Sequence, residues 1–114
     1  MTVTRAFCRK FAKEHMNTQK KKSLQTTQAL VSHFIKIKGS NMHYYDVGSG
    51  DPILFLHGIP TSAYAWRHVI KRLSPQARCI APDLIGMGQS DKPDIAYRVF
   101  DHIAYIDAWI DALQ

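Results

Sequence analysis

Short apolar runs separated by turn residues begin at Phe34 and continue to the end of the chain, whereas residues 1 to 33 show no sustained hydrophobic period. The first run, Phe34 to Lys38, is followed by Gly39-Ser40-Asn41 and then Met42 to Val47, a spacing that predicts a β-hairpin. Gly48-Ser49-Gly50-Asp51-Pro52 is dense in turn formers. Ile53-Leu54-Phe55-Leu56 has the unbroken apolar character of a strand buried on both faces of a parallel sheet. His57-Gly58-Ile59-Pro60 ends that strand. Thr61 or Ser62 is the expected cap of a helix whose apolar positions Ala63, Trp66, Val69, Ile70 and Leu73 recur at helical spacing, with Arg67, Lys71 and Arg72 outward and Pro75 at its close. Arg78 to Leu84 is the next apolar run. A long turn, Ile85 to Asp94, leads to a last amphipathic helix from about Val99 to Leu113. Its expected buried stripe is Val99, Ile103, Ile106, Ile110 and Leu113, with Asp101, Asp107 and Asp111 off that stripe.

A hairpin followed by strand, helix, strand and helix is the order of an α/β protein with parallel strands joined by right-handed crossovers. The expected organisation is a basic extension over 1–33, poorly ordered or weakly helical, and one α/β unit over 34–114.

Charge sharpens that division. Of the 15 Lys and Arg, nine lie in residues 1 to 38 against the single acid Glu14, while the remainder holds six against eight Asp. The overall +6 therefore comes from the leader and first strand, and the body is mildly acidic. Lys20-Lys21-Lys22 reads as a solvated tail; with neither interleaved aromatics nor a binding fold, it does not point to nucleic acid. The leader permits an organelle-targeting reading through Arg5, Arg9, Phe7 and Phe11, or an upstream start with Met16 as the real beginning. Its longest apolar run is Ala29-Leu30-Val31, too short for a signal-peptide core, and no stretch of the chain has the length needed to span a bilayer. Cys8 and Cys79 have no metal-ligand spacing, and the expected compartment is the reducing cytoplasm.

Candidate chemistry concentrates at the tip of the Ile53 to Leu56 strand, because ligands of open α/β sheets bind beyond the carboxyl ends of strands. There Gly58 allows close approach of the backbone, and the Ile59 amide is placed to donate to a developing negative charge. Equally, Gly58 and Pro60 simply turn the chain. His57 at a strand end reads as a hydrogen-bonded scaffold residue rather than a base. Gly86-x-Gly88 lacks the third glycine of a dinucleotide fingerprint, and Ser90 lacks the flanking glycines of a nucleophile elbow. Asp83 and Ser90 read as residues that fix the loop by hydrogen bonding; Tyr64, Trp66 and Trp109 read as core or interface residues.

Two segments then narrow the reading. His57-Gly58-Ile59-Pro60-Thr61-Ser62-Ala63-Tyr64-Ala65-Trp66-Arg67 resembles the His-Gly-x-Pro-Thr-Ser-x-Tyr-x-Trp-Arg segment of haloalkane dehalogenases. Ala81-Pro82-Asp83-Leu84-Ile85-Gly86-Met87-Gly88-Gln89-Ser90-Asp91-Lys92-Pro93, with Asp101-His102 and Tyr105-Ile106-Asp107 after it, resembles the same family in the same order. The resemblance covers roughly residues 34 to 114 and implies the N-terminal part of an α/β-hydrolase fold, with its sheet incomplete. It implies a cofactor-independent hydrolase of small molecules, without a metal, in which the backbone amide of Ile59 forms half of the oxyanion hole. Many dehalogenases carry Asn at that position to help bind the departing halide, and an apolar residue there is similar to the epoxide-hydrolase version of the motif.

The family's nucleophile, acid and His base are expected beyond Gln114, so no catalytic side chain is expected in this stretch and the chain alone is expected to be inactive. An Asp nucleophile, a serine esterase elbow and a non-catalytic remnant all remain open at this point. The Ile53 to Leu56 strand is expected to have one unpaired edge, and the isolated polypeptide to be insoluble or molten.

Overall fold

The computed structural model describes residues 29–114. The readings of the basic leader, including Cys8, Met16 and Lys20 to Lys22, lie outside the described residues. Strands β1 (Ser32–Ile37) and β2 (Ser40–Val47) pair antiparallel from Ser32 opposite Tyr45 to Ile37 opposite Ser40. The two residues between them, Lys38 and Gly39, both have positive φ, at 50° and 82°. That is the backbone of a tight two-residue hairpin turn, whose twist matches the strands it joins. β1 thus starts at Ser32, two residues before the boundary read from the apolar pattern.

β3 (Pro52–Leu54) runs parallel to β4 (Arg78–Pro82), and β4 pairs antiparallel with β2, giving the order β1-β2-β4-β3. β3 is shorter than the apolar run, although the Phe55 N–H still donates to the Ile80 carbonyl at 2.9 Å. Its expected burial on both faces is met in part: Ile53 and Leu54, both half-buried, pack against two different core clusters and Phe55 is buried, but Leu56 is 46% exposed, and the other edge of β3 carries no strand among the described residues.

Between β3 and β4 the expected single helix is a 3-10 turn, Ala63–Trp66, continuing into α1 (Arg67–Leu73). Ala63, Ile70 and Leu73 pack with Tyr45, Val47, Phe55, Cys79 and Ala81 into one core cluster, so the helical spacing located the buried face. The crossover from β3 is tied down at Gly48 as well. Its φ is +91°, and a Cβ there would fall on the carbonyl oxygens of Ala77 and Ser74. Gly48→Ala is therefore expected to destabilise the fold by on the order of 3 kcal/mol, read as a lower denaturant midpoint at unchanged slope. A midpoint equal to that of the parent would contradict this packing.

α2 (Val99–Leu113) starts with the Arg98 N–H donating to the Asp101 carboxylate at 2.8 Å, and Asp101 also faces the positive end of the helix. Its buried residues are His102, Tyr105 and Trp109, which corrects the expected stripe. Trp109 meets Tyr44 edge-on at 5.5 Å in a second core cluster with Ile37, Met42, Ile80 and Ile85. Ile106, Ile110 and Leu113 flank that contact, but Val99 is 71% and Phe100 82% exposed. The large rings fill the space over β2, and their spacing turns the aliphatic start of the helix away from the sheet.

Cys79, on β4, is buried, and burial pushes its thiol up to about 12, helped by the nearby Asp46 carboxylate. Burial also raises the Tyr44 and Tyr45 phenols, with Asp46 and Asp83 adding to it respectively. The thiolate is the reactive form. In a Cys8→Ser chain, Cys79 is expected to resist alkylation near pH 8 until denaturant is added. All three groups are held neutral by the fold, so their stabilisation is complete below the unfolded pKa values and is lost as pH climbs toward the folded ones. The melting temperature is accordingly expected to fall as pH rises above the ordinary thiol value of 9.0. Rapid native-state labelling, or a melting temperature flat across that range, would contradict it.

Candidate active site

The tip of β3 carries the residues singled out from the sequence. His57 is buried, and its Nε2 accepts the Leu84 N–H at 2.9 Å. The proton must then sit on Nδ1, which donates to the Gly58 carbonyl at 2.7 Å. Both ring nitrogens are engaged, leaving no lone pair to take a proton from a substrate. A Cβ at Gly58 would meet nothing within 4 Å, so the space beside it is open. Ile59 is 66% exposed, and among the described residues no acceptor faces its N–H. The Ile59–Pro60 peptide is cis.

Neither Thr61 nor Ser62 caps the helix that follows. Ser62 stands at the cap position in an extended conformation without a side-chain bond, and the Ala63 N–H donates instead to Asp83 Oδ1 at 2.7 Å. A carboxylate delivered from the end of β4 brings a full negative charge to the free helix-start amides, which a neutral hydroxyl cannot match. Because Asp83 lies 20 residues away, no local pattern announces it.

Asp83 is the hub of the site. Its Oδ2 accepts from His43 Nδ1 at 2.8 Å and from the Gln89 N–H at 2.9 Å, and its side chain is 3% exposed. The Asp83 N–H donates to the His43 carbonyl at 2.8 Å. Ser90 Oγ donates to the Asp83 carbonyl at 2.7 Å and accepts the His43 N–H at 2.9 Å, binding β2 to the loop after β4. Gly88, at φ +53°, leaves no room for a side chain because the Asp83 carboxylate fills the place of its Cβ; the Tyr97 ring does the same at Gly86. These glycines serve close packing of the loop, in keeping with the missing dinucleotide fingerprint.

Among the aromatic residues, Trp66 is half-buried against Phe55 at 5.3 Å, Trp109 is in the core, and Tyr64 is exposed beneath the Arg67 guanidinium at 4.4 Å. His43 was not singled out from the sequence. Its only signal is a histidine set inside the apolar run Met42 to Val47. Among the described residues, no three His, Cys, Asp or Glu side chains converge as a metal-binding group, and no helix is long and apolar enough to cross a membrane. A shallow groove lined by His68, Val69, Lys71 and Arg72 lies on α1, away from His57, Ile59, Asp83 and Ser90.

The span from β3 to α2 is also where known proteins agree with this one: the family model of the alpha/beta hydrolase fold matches residues 51–114. The chain belongs to the α/β-hydrolase fold family. It is similar to a haloalkane dehalogenase of Mesorhizobium japonicum, 59% identical over 81 residues, which cover 70% of this chain and 26% of that protein. A loop variant of haloalkane dehalogenase DbeA from Bradyrhizobium elkanii superposes with a TM-score of 0.73 at 49% identity, over 75% of this chain and 29% of that one. A soluble epoxide hydrolase of Corynebacterium sp. is 50% identical over 64 residues, covering 56% of this chain and 22% of the other. This α/β-hydrolase chain thus spans about a quarter of the length of the relatives it matches. Within that span lie both the Gly58 to Ser62 turn and the Asp83 to Ser90 loop that holds it.

Proposed function

We propose that this chain supplies the oxyanion-binding side of the active site of a haloalkane dehalogenase-like hydrolase, completed by segments corresponding to the rest of its relatives. The observation that carries this reading is the Ile59 N–H: it belongs to an exposed residue past the carboxyl end of β3, makes no hydrogen bond among the described residues, and sits on a turn held at both ends. A backbone donor fixed in advance stabilises charge as it develops, with no reorganisation at the moment of reaction. The chemistry is a two-step displacement without a cofactor. A carboxylate nucleophile from a later segment displaces halide from carbon to form an ester, and His-activated water cleaves that ester to release the alcohol. Small alkyl halides are the substrate class, and the free, buried Cys79 suits a reducing, cytoplasmic setting.

Epoxide opening is the second reading, and Ile59 favours it. An aliphatic side chain donates nothing to a departing halide, whereas an epoxide oxygen stays on the product. The two are separated by co-expressing this chain with the part of the Mesorhizobium japonicum enzyme that follows its matched segment. The chain alone is expected to release no halide, and the pair to turn over a short bromoalkane. Ile59→Asn is expected to raise halide release by about a hundredfold, the scale of one added donor. Turnover by the chain alone would sink the proposal. An assembled pair that opens epoxides but releases no halide would establish the second reading in its place.

A further inference from the structure

We infer that His43 is a positioning residue for the Ile59 donor, acting through Asp83; this rests on the reading of that N–H as part of an oxyanion site. The turn Gly58 to Ser62 is clamped by two consecutive residues at the end of β4. The Leu84 N–H holds His57 just before the turn, and the Asp83 carboxylate holds the Ala63 N–H just after it, at 2.9 and 2.7 Å. The first clamp is orientated by its own backbone. The second depends on a side chain that can rotate, and its orientation needs a partner. The Gln89 N–H contributes one contact to Oδ2, but Gln89 is an exposed loop residue.

His43 supplies the rigid partner. It is fully buried in β2, its ring is gripped by Phe34 at 5.1 Å and Tyr45 at 4.8 Å, and its Nδ1 donates to Asp83 Oδ2 at 2.8 Å. The ring is further held through Nε2, which lies 2.9 Å from Ser32 Oγ on β1. A hydrogen-bonded line thus runs from β1 through β2 to the Asp83 carboxylate, leaving Oδ1 aimed at Ala63. A ring needed only to fill space would require neither nitrogen to be placed. Displacement of a catalytic group by about 1 Å is enough to cost a hundredfold in rate, so the aim of Oδ1 bears directly on the Ile59 amide four residues upstream.

The test compares the parent with His43→Leu, which removes the donor, and His43→Asn, whose amide reaches Asp83 from nearly the position of Nδ1. In the full chain, Ala63 amide exchange is expected to rise about ten- to a hundredfold in His43→Leu while the β2–β4 ladder holds, and to return near the parent rate in His43→Asn. In the enzyme assembled by co-expression, His43→Leu is expected to lower kcat by about tenfold at unchanged KM, with rescue by Asn. Should His43→Leu not fold, nitrogen NMR of the parent decides: a protonated Nδ1 bonded to a carboxylate supports the inference, and an unprotonated Nδ1 overturns it. Equal loss of protection throughout the sheet without rescue by Asn also overturns it. Because exchange and ring protonation need no turnover, expected values for both in an assembled but inactive pair would refute the hydrolase reading alone.

Discussion

Asp83→Ala is expected to destabilise the chain by about 4 kcal/mol, the largest effect of any single substitution in the site. Three donors point at this carboxylate: the Ala63 N–H, the Gln89 N–H and His43 Nδ1. His43 is fully buried beneath it, so removing the acceptor leaves its Nδ1 proton without a partner and without access to water. Each buried donor left unsatisfied costs about 1 to 3 kcal/mol, and alanine also opens a void beside Gly88. Asp83→Asn preserves the shape but presents an NH2 group to part of this donor set, so its cost is expected to be roughly half as large. Denaturant titration measures both. A loss under about 1 kcal/mol for Asp83→Ala would show that water or another acceptor replaces the carboxylate and that it does not organise the turn.

Self-association of a folded 114-residue chain, in place of the insoluble or molten state expected from the sequence, is the second large expectation, because the described residues pack two core clusters. β3 pairs with β4 on one side and with no strand on the other among the described residues, which leaves backbone donors and acceptors open for another strand. Leu56 and Ile59 lie exposed just past the carboxyl end of β3, and Val99, Phe100 and Ile103 add exposed apolar surface on α2. Light scattering after size exclusion is expected to return masses above the monomer that grow with concentration. Leu56→Lys, which places a charge just past the end of β3 without entering either core cluster, is expected to shift the distribution toward monomer. A concentration-independent monomer for the parent chain would refute this account of the edge.

Those two features differ in how far the sequence reveals them. The hairpin, β4 and α1 were legible because their apolar periods are local, and the open edge followed from the resemblance to a larger fold. The rotation of α2 was not legible: Val99 and Ile103 fit a stripe as well as Tyr105 and Trp109 do, and only the space above Tyr44 decides which side turns inward. In the site, His57 to Pro60, Asp83 and Ser90 stood out as residues at strand ends and in turns. Their wiring did not, because His43 to Asp83 spans 40 residues and Ala63 to Asp83 spans 20. Serine and threonine before a helix are strong local cap signals, yet here a carboxylate from the loop after β4 takes that place. Long-range hydrogen bonds leave no period in a sequence, and His43 therefore looked like one more strand residue.

Residue-resolved amide exchange on the isotopically labelled chain decides whether the turn is fixed at both ends with one donor left free. Ala63 and Leu84, bonded to Asp83 and His57, are expected to exchange at least about a hundredfold more slowly than unprotected amides, while Ile59 exchanges near the intrinsic rate. An Ile59 amide as protected as Ala63, or an Ala63 amide as free as Ile59, would contradict the account.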